Sequence, residues 1–133
     1  MKDLICIIPF VHLSSRPNGV ARRCCTESNG PYDHTIFNEN GAPFSYDKDS
    51  ISKIWNSKKM IEFRQQMLNG GKPPECSSCW KEEAHGKASK RIRSDRMFHK
   101  YLDRVEKARA NNGYVDEPPV SLDIRLGNLC NLK

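Results

Sequence analysis

Pro73-Pro74-Glu75-Cys76-Ser77-Ser78-Cys79-Trp80 is the stretch from which the rest of this sequence is read. Two residues between two thiols let both sulfurs reach one metal from a tight turn. Two more cysteines, Cys6 and Cys24, frame the turn signal Arg16-Pro17-Asn18-Gly19 upstream. A hairpin brought beside the C-x-x-C turn would complete a set of thiolates: Cys6, Cys24, Cys76 and Cys79. Spacing alone does not choose between zinc and an iron–sulfur cluster for such a set. Cys25, next to Cys24, reads as a buried free thiol, with the alternative that it is the ligand in place of Cys24.

Working outward, 133 residues suit one modest domain with one core. Hydrophobic residues make up 37% and mean hydropathy is −0.73, low for a core of that size. A metal staple would help such a chain hold together. Six cysteines are sparse for a secreted disulfide scaffold of this length. The stretch Leu4 to Leu13 is mostly apolar, but Cys6, Pro9 and His12 interrupt it and no small-residue cleavage site follows. No run is long enough to span a membrane. The expectation is a cytoplasmic protein with no membrane partner. The net charge of +6 suits an acidic or phosphate-bearing partner.

Residues Ile5 to Cys25 read as a β-hairpin. Phe10 to Leu13 and Val20 to Cys24 are its strands, and Arg16 to Gly19 its turn. In that register Cys24 faces Val11 and Cys25 faces Phe10, and Cys24 shares the more aliphatic face. Cys6 lies too far along a regular strand to meet Cys24, so the chain must bend between Cys6 and Phe10, with Pro9 as the corner. Thr26 to Lys48 is rich in Asn, Gly, Asp and Pro and reads as a long, packed loop. Asp49 or Ser50 caps a short helix through Trp55, and a second helix runs from Ser57 through Leu68 until Asn69-Gly70-Gly71 stops it. Trp55 and Trp80 are placed to shield the metal site. Lys81 to Ala110 is helix-forming with a break at Gly86, and Phe98, Tyr101, Leu102, Val105 and Ala108 form one apolar stripe. Val120, Leu122, Ile124 and Leu126 alternate with polar residues, the pattern of a half-buried strand.

The segment Lys87 to Arg109 holds nine Lys and Arg against three acidic residues and reads as a solvated face or a contact for RNA or an acidic peptide. His12, His34, His85 and His99 lack ligand spacing to one another.

Two stretches together resemble a known family. Cys6, Gly19, Cys24 and the later Cys76-Ser-Ser-Cys79, with Ile54-Trp55-Asn56-Ser57 between them, look like the auxiliary-cluster region of SPASM and twitch-type radical SAM proteins. Leu122-Asp123-Ile124-Arg125-Leu126-Gly127-Asn128-Leu129-Cys130-Asn131-Leu132-Lys133 is similar to the first barrel strand of a radical SAM domain running into its C-x-x-x-C-x-x-C loop. Cys130 matches the first cysteine of that loop, and Asp123 and Arg125 would point into the barrel lumen.

The resemblance implies an auxiliary [4Fe–4S] cluster on Cys6, Cys24, Cys76 and Cys79. It also implies a second [4Fe–4S] cluster, with Cys130 as its first ligand, at which S-adenosylmethionine is cleaved to start radical chemistry. The implied fold is α+β: a β-hairpin and helices around the cysteine-ligated cluster, then the first strand of a truncated radical SAM (β/α) barrel. Residues 1–115 would be the auxiliary domain and 116–133 a linker and the incomplete start of the barrel domain. The chain reads as the front of a longer enzyme, inactive alone. Its implied partners are the rest of the barrel, an electron donor and an unknown substrate such as peptide or RNA. The rival reading is a non-catalytic zinc-binding module that contacts RNA or protein through the basic helix.

Overall fold

The computed structural model describes residues 5–24 and 34–124. Cys25, Arg125 and Cys130 lie outside the described residues.

Pro9 sets the first bend. It sits in the first turn of a short helix, α1 (Ile8–Val11), where its missing N–H costs nothing. The corner expected between Cys6 and Phe10 is therefore a helical turn, closed by the Phe10 amide donating to Ile7 O at 2.9 Å. Phe10 and Val11 belong to this turn and not to the hairpin. Strand β1 (His12–Ser15) pairs antiparallel with β2 (Ala21–Arg22), Ser14 opposite Arg22 and Ser15 opposite Ala21. That register is one residue off the expected one. The Arg16 amide donates to Val20 O at 2.9 Å, so the loop is Pro17-Asn18-Gly19, three residues long, with Gly19 at φ 89°. A three-residue hairpin loop needs its last residue in the left-handed region, which glycine adopts freely. The shift cancels the argument that set Cys24 opposite Val11, since a one-residue slip exchanges the faces. The ladder in any case ends at Arg22, before Cys24.

β1 is buried along its whole length because it is the middle strand. Its other neighbour is β3 (Ser121–Asp123), parallel, with Leu13 beside Leu122. Parallel neighbours need a long crossover, and here every later helix lies within it. The segment 34–48 folds back onto β2: Ala21 N donates to Phe44 O and Ile36 N to Ala21 O, at 2.9 and 3.0 Å. This satisfies its backbone and buries Ile36 and Phe44.

Helices α2 (Ile51–Trp55) and α3 (Lys58–Leu68) lie where their signals put them. The Ser50 hydroxyl caps α2 by accepting from Lys53 N at 3.2 Å, and Gly70 at φ 84° ends α3. A 3-10 turn at Pro74–Cys76 leads into α4 (Ser77–Ala84), and Gly86 at φ 76° breaks the helical run. Then come α5 (Lys90–Met97), a 3-10 turn at His99–Tyr101, and α6 (Leu102–Ala110). That second break interrupts the predicted stripe. Val105 and Ala108 reach the core, while Leu102 is 41% exposed.

The strand expected after Val120 is present as β3, but its apolar side is not the buried one: Val120 and Leu122 are 39% and 48% exposed. Its polar side turns inward, where Ser121 Oγ lies 2.8 Å from His12 Nδ1. Among the described residues no helix is long and apolar enough to cross a membrane.

Candidate metal centre

Three pieces of chain carry the described thiols. Cys6 precedes α1 and Cys24 follows β2. Cys76 closes the 3-10 turn and Cys79 stands in the first turn of α4. Pro73 and Pro74 make this last arrangement. They forbid a continuation of α3, and Pro73 O accepts from the Cys76 amide at 2.9 Å. All four are free thiols; Cys24 and Cys79 are buried, Cys6 and Cys76 half-buried.

Arg23 joins the hairpin to the C-x-x-C turn. Its Nη2 lies 3.1 Å from Glu75 Oε2, and its guanidinium packs 4.2 Å above the centre of the Phe63 ring on α3. Arg23 precedes Cys24 and Glu75 precedes Cys76, so this one ion pair sets two cysteine-bearing segments side by side. The Cys6 segment is tied to α5, where Asp95 Oδ1 accepts from the Ile7 amide at 2.9 Å.

Cys6, Cys76 and Cys79 share one electrostatic field. Burial pushes the Cys6 thiol far above its ordinary range, and the charges of Asp95, Cys76 and Cys79 push the same way, while the Ile8 amide, donating to the sulfur, opposes them. Burial pushes the Cys76 thiol up to about 12, with Cys79 and Glu75 adding to the rise and Arg23 countering it. Thiolates at Cys6, Cys76 and Cys79 would repel one another in a poorly solvated place, and a bound cation would remove that repulsion. Beside Cys79, the Ser78 hydroxyl and the Trp80 indole N–H are buried with no hydrogen-bond partner among the described residues. Two idle donors on the helix that carries Cys79 leave room for an additional acceptor such as inorganic sulfide. The donor set therefore suits an iron–sulfur group. Among the described residues, no three His, Cys, Asp or Glu side chains stand together at metal-holding spacing.

Of the two tryptophans expected as a shield, only Trp80 has contacts tied to this region, with Lys72 and Arg91 over its ring. The contacts of Trp55 are with Arg64 and with Glu117 O, within the core. Two of the histidines have other partners: His85 Nδ1 lies 2.8 Å from Lys81 O, and His12 bonds Ser121. Sequence reasoning missed Arg23 and Glu75, although each directly precedes a cysteine and their charges are opposite.

The model of the SPASM iron–sulfur cluster-binding domain matches residues 6–80, more than half of the chain. This chain belongs to the SPASM family. The SPASM match begins at Cys6 and ends one residue past Cys79, so every described cysteine falls inside it and α5, α6 and β3 fall outside. Iron–sulfur binding is accordingly the cofactor chemistry of this SPASM chain. No curated protein and no solved structure matches it.

Proposed function

We propose that Cys6, Cys24, Cys76 and Cys79 ligate one auxiliary [4Fe–4S] cluster, and that this SPASM chain serves a radical SAM enzyme. The observation that carries the ligand set is the Arg23–Glu75 pair, which lays the Cys24 segment against the C-x-x-C turn. The electrostatic coupling of Cys6 to Cys76 and Cys79 supports the same set. SPASM domains are typical of radical SAM enzymes, and the run from Leu122 to Cys130 has the look of that fold's first strand and cluster loop. On this reading residues 1–115 are the auxiliary domain, 116–133 open the catalytic domain, and Cys130 is the first ligand of a second cluster that binds S-adenosylmethionine.

With four protein thiolates and no open iron, an auxiliary cluster supplies electron transfer. The residues of this chain hold it and keep water from it. The Ile8 amide donates to the Cys6 sulfur, and Lys72 and Arg91 lie against the ring of Trp80 on the C-x-x-C helix. An electron donor and a substrate, peptide or RNA, complete the reading. Free thiols of this number suit a reducing cytoplasm.

Anaerobic reconstitution with iron and sulfide tests the ligand set. The expected product is brown and carries about four iron and four sulfide per chain. Cys24→Ser should lose most of both, and Cys25→Ser should keep them. A colourless protein that takes only zinc would overturn the cluster and favour a zinc-binding module.

A further inference from the structure

We propose that Arg23 and Arg91 are the positioning residues of this centre: two buried guanidiniums that pin the Cys24 and Cys6 segments to the C-x-x-C turn and its helix, and hold positive charge beside the thiolates. This rests on the cluster reading above.

Arg91 is 7% exposed and stands on α5, outside the matched residues 6–80. It forks onto Glu83, with Nε 2.8 Å from Oε2 and Nη2 2.6 Å from Oε1. Glu83 lies one helical turn beyond Cys79 on α4, and the Ser89 hydroxyl donates to it at 2.5 Å. On its other side Arg91 Nη1 lies 3.4 Å from Ile5 O and 3.6 Å from Asp95 Oδ2. Asp95 in turn receives the Ile7 amide. Cys6 sits between Ile5 and Ile7. An unbroken polar chain therefore runs from the helix bearing Cys79 through one guanidinium to both peptides flanking Cys6. Arg91 also lies within charge range of the Cys6 sulfur and 5.5 Å from the centre of the Trp80 ring.

Arg23 repeats the device on the other flank, 5% exposed, on Glu75 and over Phe63. Each arginine ties one N-terminal thiol segment to one end of the C-x-x-C element. A buried guanidinium is costly to desolvate unless a fork of acceptors meets it, and a lysine cannot reproduce that fork. Ligands on segments so far apart in sequence need such support to meet one cluster in fixed geometry. A cluster with four thiolates is anionic and gains a negative charge on reduction. Nearby positive charge favours the reduced form and raises the potential.

The test compares Arg23→Gln, Arg91→Gln, Arg23→Lys and Arg91→Lys with the exposed control Arg96→Gln. The readouts are iron per chain, midpoint potential and melting of the apo-protein. In each Gln variant the ratio of reduced to oxidised cluster at a given potential should fall about tenfold, about 59 mV for one electron. The Lys variants should keep the potential but load less iron, because they keep the charge and lose the fork. Should the Gln variants fail to fold, the Lys variants carry the test on their own. Gln variants with wild-type potential, Lys variants with wild-type loading, or an equal shift in Arg96→Gln would each overturn the proposal. If the wild type takes zinc alone, the cluster reading fails. The pinning then survives only if the Gln variants bind zinc about tenfold more weakly than wild type. A wild type that takes neither metal overturns both readings.

Discussion

Arg64 is the least expected residue of the core. It is fully buried on α3, and no carboxylate lies within ion-pair distance of it among the described residues. Its guanidinium instead donates to Pro9 O at 2.8 Å, Trp55 O at 2.7 Å, Gly113 O at 3.0 Å and Asn56 Oδ1 at 2.8 Å, and lies 4.4 Å from the Trp55 ring centre. One side chain thereby satisfies carbonyls from α1, the end of α2 and the turn after α6. Burial pulls its pKa down to about 9, which leaves it charged at neutral pH. Arg64→Met would fill the space but strand those acceptors, so a loss of about 3–5 kcal/mol is expected in urea unfolding. A loss below about 1 kcal/mol would show that water replaces the guanidinium without cost. The sequence around it, Met60, Phe63 and Met67, marks the buried face of α3 plainly. An arginine at the same face reads as a side chain that would reach out to solvent, because nothing local announces the carbonyls waiting for it.

At the scale of the element, α4 and α5 are held as a pair across Gly86 by Glu83, Ser89 and Arg91. Arg91 holds the Glu83 carboxyl below its ordinary value of 4.5, with Ser89 helping and burial opposing. A carboxylate whose pKa is depressed by folding contributes stability that is present above its ordinary value and lost as pH falls through the lower, folded one. Burial raises Asp95, whose contribution runs the opposite way and grows on acidification. The difference between wild type and Glu83→Gln therefore isolates Glu83. That difference in melting temperature should be largest at neutral pH and shrink once the pH falls below about 4.5. A gap that stays constant from pH 7 to pH 3 would mean that the pair is not charged in the way described. The break at Gly86 is legible in sequence, since it is local. The second break, at the 3-10 turn before α6, is not: Phe98 and Tyr101 keep helical spacing, and only their half-buried packing against the core reveals the change of axis.

Across the whole molecule the charge surplus is more internal than its sequence suggests. Of the basic residues between Lys87 and Arg109, Arg91 and Arg104 are buried, the latter on Phe10 O and Pro118 O. Lys107 pairs with Asp103 and Glu117, and Arg109 with Glu106. Beside the exposed Lys87, the trio Arg93, Arg96 and Lys100 is exposed without a carboxylate partner among the described residues. A partner that uses this surface would be acidic or phosphate-bearing. Reversing these three to Glu should abolish salt-sensitive retention on RNA or an acidic peptide and leave iron content unchanged. Retention equal to wild type on both would leave the surface simply solvated.

Local signals carried the helices and their stops, because caps and glycines act within a few residues of themselves. Ser50, Gly70, Gly86 and Gly113 each do their work at the place where the sequence shows them. Tertiary structure alone decided three things. The hairpin register turned on whether Gly19 takes the left-handed conformation of a three-residue loop, and residue types permit either turn. The inward face of β3 turned on its pairing beside β1, whose partner lies more than a hundred residues away in sequence. The placing of the cysteine-bearing segments turned on contacts such as Arg23 with Glu75, 52 residues apart, and Ile7 with Asp95, 88 apart. Such pairs leave no local periodicity, so only the folded chain shows which charges meet.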